Sequence, residues 1–179
     1  MQNKTEYWLR GAVPDVPEWL QPVAHALLQA EDEIYDAMHN FPGDQLWQTP
    51  AGVASPAFHL QHIVGVLNRL FTYANGSELS EEQLSYLKKE GKRDETITVH
   101  SLLQNLQQQI NFSVEFLKKV QKQKLTEVRY VGRKKIPSSQ LGLLFHAAEH
   151  TMRHTGQLLV TVKIILNEMK EPQRLKVMK

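Results

Sequence analysis

The 179-residue sequence contains no cysteine. Disulfide staples, thiolate metal sites and cysteine nucleophiles are therefore excluded, and any soft-metal site must be built from histidine. Net charge is also scarce: 21 Lys+Arg against 19 Asp+Glu leave a formal +2. That balance lacks the long-range field of a dedicated nucleic-acid binder, so no nucleic acid is expected as a partner. No uninterrupted apolar run approaches the ~20 residues that cross a bilayer, so no membrane partner is expected either. The segment from Met1 to Glu6 is polar, without a basic stretch leading into an apolar one. The expectation is a cytoplasmic protein. No Glu-x-x-His motif occurs, which removes the carboxylate-bridged di-iron chemistry of ferritin-like bundles.

What is present is ordinary globular material, 41% hydrophobic and 22% charged. It predicts a single domain over residues 1–170 and a basic, frayed tail over 171–179. Over residues 17–41 the apolar positions Leu20, Ala24, Leu27, Ile34, Met38 and Phe41 recur at steps of three and four, interrupted by Glu31. This pattern predicts an amphipathic helix. Ser55-Pro56 has the form of an N-cap with proline at the first helical position, and Asn75-Gly76 closes the second helix. Ser80 and Gln83 form a capping-box pattern ahead of a short helix around Leu84 and Leu87. A third long helix is expected over 98–121. The alternation of Val128 and Tyr130, with a turn at Gly132, predicts a short hairpin. A fourth helix is expected from near Pro137-Ser138 to about Met169, on the stripe Leu141, Leu144, Ala148, Met152, Leu159 and Val162. The fold class is all-α, a four-helix bundle with a long crossover between its second and third long helices.

Five of the eight histidines fall in two places, His59 and His62 in the second helix and His146, His150 and His154 in the fourth. Side chains three or four apart share a helix face, so a pair on one helix and a single residue on a facing helix make a three-histidine metal site. Three protein ligands leave a coordination position open for water or substrate. Helical phase favours the pair His150 and His154 over His146 and His150. On the second helix it puts His59 near the centre of the apolar face and His62 at its edge, and phase alone does not choose between them. An edge position opens toward a cleft, which favours His62. His59 and His146 read as residues supporting the ligands or lining a pocket, and Glu31 as a carboxylate either bonded to a ligand histidine or exposed. His146-Ala147-Ala148-Glu149-His150 also has the H-x-x-E-H form of inverted zinc peptidases. Glu149 reads more simply as a helix-surface or supporting residue. Trp19, Trp47 and Tyr130 are candidate pocket aromatics, and Arg129, Arg133, Lys134 and Lys135 a candidate anion-attracting set.

The stretch Ser55-Pro56-Ala57-Phe58-His59-Leu60-Gln61-His62-Ile63, the turn Val131-Gly132-Arg133, and the run from Leu143 through His146, His150 and His154 to Gly156-Gln157 resemble the DinB family of metal-dependent helical-bundle proteins. The resemblance covers roughly residues 6–167. It implies a bundle of up-down-down-up order, with metal on the residues matching His62, His150 and His154. Family members often keep a second histidine beside the one matching His62; this sequence departs from that pattern, its extra histidine being His59. Characterised relatives include thiol S-transferases using bacillithiol or glutathione-like thiols and the mycothiol-dependent maleylpyruvate isomerase. The resemblance thus implies a divalent ion (zinc, nickel or iron), a low-molecular-weight thiol cosubstrate, a small-molecule substrate and a homodimer. The resulting expectation is transfer of a small thiol, or activation of water, onto an electrophile at a three-histidine centre. The alternative is a non-catalytic binding or stress-response accessory protein whose metal is structural or adventitious. No residue identifies the catalytic groups or the electrophile.

Overall fold

A computed structural model describes residues 5–177, with side chains described as far as Lys170. Its elements are α1 Gln21–Met38, α2 Pro56–Ala74, α3 Glu81–Lys89, α4 Val99–Leu117, β1 Val128–Val131, β2 Ile136–Ser139 and α5 Gln140–Val177. Helix starts follow side-chain chemistry. Ser55 Oγ accepts the Phe58 N–H to open α2, while Ser80 with Gln83 and Thr98 with Ser101 form reciprocal capping boxes on α3 and α4. α1 starts later than its apolar pattern, because Glu18–Leu20 forms a 3₁₀ turn ahead of it. α5 also starts later than expected. Ile136–Ser139 pairs antiparallel with Val128–Val131, which places Pro137 opposite Tyr130 in a two-stranded sheet where both strands are edges and proline is tolerated. The fraying expected of 171–179 concerns residues whose side chains lie outside those described.

The molecule is a helical bundle with a small two-stranded sheet. α1 and α2 each pack against both α4 and α5. Their inward faces supply the core, including Leu27, Ile34 and Met38 of α1, Leu60, Ile63 and Leu67 of α2, Leu106 and Ile110 of α4, and Leu144 and Leu158 of α5. On α5 the buried series runs through Leu144, Ala147, Thr151, Thr155, Leu158 and Val162, whereas Leu141 is exposed. The inward direction is therefore rotated from the purely apolar stripe. Two threonines hide the true phase; Thr155 is accommodated by donating its hydroxyl to the Thr151 carbonyl.

Helix directions determine where the long connection goes. His59 meets His154 and His62 meets His150, so α2 and α5 are antiparallel. Asn68 bonds Gln109 and Phe71 packs on Phe116, so α2 and α4 run parallel. Parallel neighbours cannot be joined by a hairpin, and the chain must return along the bundle before α4 begins. α3 makes that return beside α2: Gln83 reaches Asn68 and Thr72, Tyr86 Oη donates to the Gln61 carbonyl, and the Gly91 N–H bonds the Gln61 side chain.

Two glycines permit this close approach. Gly91 has φ +74° and lies against Phe58, where a Cβ would come within 2.8 Å of the ring. Gly65, inside α2, leaves room for Glu90, Arg69 and Tyr86; a Cβ there would overlap Glu90 and stand 2.6 Å from Arg69 Nη1. A mid-helix Gly→Ala change ordinarily stabilises by about 0.5–1 kcal/mol. Gly65→Ala is expected to reverse that sign and destabilise by about 1–3 kcal/mol, the usual effect of overpacking. Urea unfolding of the variant checks it, and a stabilised Gly65→Ala protein would contradict the packing.

Candidate metal centre

The first turns of α2 present Phe58, His59 and His62 to the middle of α5, where His150 and His154 stand one turn apart. Ring centroids are 4.5 Å apart for His62 and His154, 4.6 Å for His150 and His154, and 5.3 Å for His62 and His150. One nitrogen from each of the three lies within 4.8 Å of the others, so the group can hold a metal ion. His62 Nε2 and His150 Nε2 are 3.1 Å apart. An ion ~2.0–2.1 Å from each nitrogen can bridge that gap.

The protonation pattern follows from the neighbours. His62 Nδ1 lies 2.8 Å from Glu90 Oε2, and the other oxygen of that carboxylate accepts from Arg69 Nη1 at 2.5 Å. Glu90 is only 4% exposed. An ionised carboxylate can only accept, so His62 Nδ1 carries the proton and its Nε2 lone pair faces His150. Phe58 stacks on the His62 ring, with centroids 5.1 Å apart and planes 12° from parallel. His154 Nδ1 is 3.1 Å from His59 Nδ1, leaving its Nε2 for another partner. His150 Nδ1 is buried without a hydrogen-bond partner among the described residues. Converging imidazole nitrogens, one beside an orphaned polar atom, form a donor set that suits a divalent cation.

The same crowding disfavours the charged form of His59, His150 and His154. Burial, reinforced by His62, lowers His59 to about 4; burial, with His62 and His150 alongside, lowers His154 to about 4. His150 is lowered for the same reasons, desolvation first and the His62 charge second. Neutral imidazole is the form that ligates metal.

Each residue singled out from sequence can now be placed. His59 is buried on α2, with its Nδ1 3.1 Å from His154 Nδ1. His146 and Glu149 lie on the outer side of the cluster. Glu149 accepts from His146 at 2.7 Å and from Arg153 at 2.6 Å, and with His150 these residues form a second possible metal-holding group. Desolvation is the largest single effect on the Glu149 carboxyl and pushes it up, but the bond from His146 and the Arg153 charge together outweigh it and leave the group below its ordinary value. Glu31 is not brought to the histidines; it faces α4, where Gln107 bonds it. Arg129 anchors the hairpin, donating to the Ala74 carbonyl and to Glu127, while Tyr130 is exposed. Glu90 and Arg69, which no motif in the sequence singles out, complete the surroundings of His62. The one available signal was Glu90-Gly91 closing the short helix, a carboxylate beside a residue suited to close approach.

A sequence model described as the DinB superfamily matches residues 26–158. Among solved structures, a conserved protein from Enterococcus faecalis superposes with TM-score 0.60 at 16% identity, covering 83% of this chain and 97% of that one. A protein from Streptococcus pneumoniae superposes with TM-score 0.59 at 11% identity, covering 81% and 88%. At such identities the likeness concerns the fold. No curated protein matches the chain.

Two outcomes follow from this geometry. Glu90→Gln is expected to weaken metal affinity about 10–100-fold, the usual effect of losing the partner of a ligand histidine. Competition against a chelating dye measures it, and unchanged affinity in the folded variant would contradict the role. The second concerns pH. His59 and His154 titrate near 4 when folded, against 6.5 for the unperturbed side chain. The unfolded chain therefore takes up their protons first as pH falls, so the stability they contribute is complete above about 6.5 and is lost on approach to about 4. Thermal unfolding of chelator-treated protein across that range should show Tm falling with pH; a flat profile would contradict the assignment.

Proposed function

Because the chain belongs to the DinB superfamily, whose model spans residues 26–158, we propose that it is a metal-dependent enzyme with His62, His150 and His154 as ligands of a zinc, nickel or iron ion. The observation that carries the proposal is the convergence of three imidazole nitrogens within 4.8 Å, drawn from two antiparallel helices. Held by these three residues, such an ion would supply Lewis acidity that lowers the pKa of a small thiol or a water toward neutrality. The chain's own residues prepare the site. Glu90 holds the proton on His62 Nδ1 and increases the ring's basicity, while Arg69 pairs with the other oxygen of that carboxylate. His59 pairs with His154 Nδ1 and fixes that ring's orientation. Phe58 covers one face of His62 and keeps it from rotating. On the outer side, Arg153 and His146 offer hydrogen-bond donors to an anionic cosubstrate or to a departing group.

The reaction that fits is transfer of a low-molecular-weight thiol, or of water, to a small electrophile. The test begins with elemental analysis of untagged protein purified without added metal, parent against His150→Ala. Near-stoichiometric metal in the parent and its loss from the folded variant is the expected result, followed by metal-dependent turnover in a screen pairing small thiols with electrophiles. Metal absent from both, with no uptake of zinc, nickel or iron, would refute the enzyme reading. Bound metal with a closed shell of four protein ligands and no activity would favour a non-catalytic binding protein.

A further inference from the structure

Away from the histidine cluster, a cleft of about 1120 Å³ opens between α1, the loop that follows it, and the first turns of α4 with the stretch leading into them. Its walls include Tyr35, Phe41, Trp47 and Leu103, with Glu31 and Gln107 set between them. The charged residues around it are mostly matched within the protein. Asp32 is paired with Arg10 at 2.9 Å, and Glu95 with Arg93 at 2.7 Å. Arg10 also lies 3.9 Å over the Tyr7 ring, so one edge of the cleft already holds a cation between an aromatic face and a carboxylate. Glu31 differs. It is partly buried, its hydrogen bond comes from the neutral Gln107 amide, and it forms no ion pair among the described residues.

A partly buried carboxylate without a cation is costly, and aromatic walls with one anionic group are the composition that recognises an ammonium on an apolar body. We propose that this cleft binds a small organic amine, its ammonium on Glu31 and its hydrocarbon against Tyr35, Phe41, Trp47 and Leu103. Burial, with the Asp32 charge beside it, pushes the Glu31 carboxyl above its ordinary value; a bound cation offsets both effects. None of the clustered histidines lines this cleft; the two that do, His39 and His100, are not part of that cluster. The site is thus independent of the metal reading and fails or stands separately from it.

The test is isothermal titration of the full chain, as purified and after chelation, with phenethylamine and with its neutral counterpart 2-phenylethanol. Phenethylamine is expected to bind one to one in both preparations, about tenfold or more tighter than the alcohol, the difference that a charge-assisted hydrogen bond makes. Glu31→Gln should remove that preference, and Leu103→Trp, which fills the cleft, should abolish binding of both compounds. Three results would overturn the proposal: no phenethylamine binding, equal affinity for amine and alcohol, or binding that survives both substitutions. Binding that disappears on chelation would place the amine on a metal and overturn it equally.

Discussion

The buried carboxylate of Glu90 is the contact on which the arrangement of the histidines depends. It accepts from Arg69 on one oxygen and from His62 on the other, at 2.5 and 2.8 Å, with little exposure to water. A charge so placed is tolerated only when paired and hydrogen-bonded on both sides. The pairing has consequences in both directions. Toward α2 it fixes which nitrogen of His62 is protonated and so aims the other at α5. Toward the crossover it holds the end of α3 against the bundle, although α3 itself contributes no buried residue.

Topology is what brings that carboxylate to the site. Since α2 and α4 are parallel neighbours, the chain has to travel back along α2 before α4 can start, and the return ends beside the first turns of α2 where His59 and His62 lie. Gly65 and Gly91 supply the clearance at two points of closest approach. The crossover thus contributes a carboxylate that orients His62 as well as a connection. On the α5 side the one-turn spacing of His150 and His154 completes the set, with Thr151 and Thr155 turned inward beside them.

Much of this was legible in the sequence, for reasons that can be named. Ser55-Pro56 and Ser80 with Gln83 mark helix starts through local capping chemistry, and local rules survive folding. The two histidine groups were visible because helical spacing alone puts i and i+4 on one face. The phase of α5 was read too far round, since buried Thr151 and Thr155 do not count as apolar in a periodicity argument. The start of α5 was placed early because Pro137 suits a first helical turn as well as an edge strand, and only the pairing with Tyr130 decides. Glu31 looked like an interior charge, and its facing toward Gln107 rather than the histidines depends on which helices are neighbours. Glu90 lies 28 residues from His62, and a contact of that kind across a crossover leaves no periodic trace.

The central claim is that three imidazoles, with a carboxylate held one step back, form a metal site with a position left open. X-ray absorption spectroscopy at the edge of the bound metal tests it most directly. The account predicts a shell of three imidazole nitrogens at ~2.0–2.1 Å together with a light-atom ligand that small thiols replace with sulfur. A shell containing a protein carboxylate in place of the exchangeable ligand, or one unchanged in a His62→Ala variant, would contradict it.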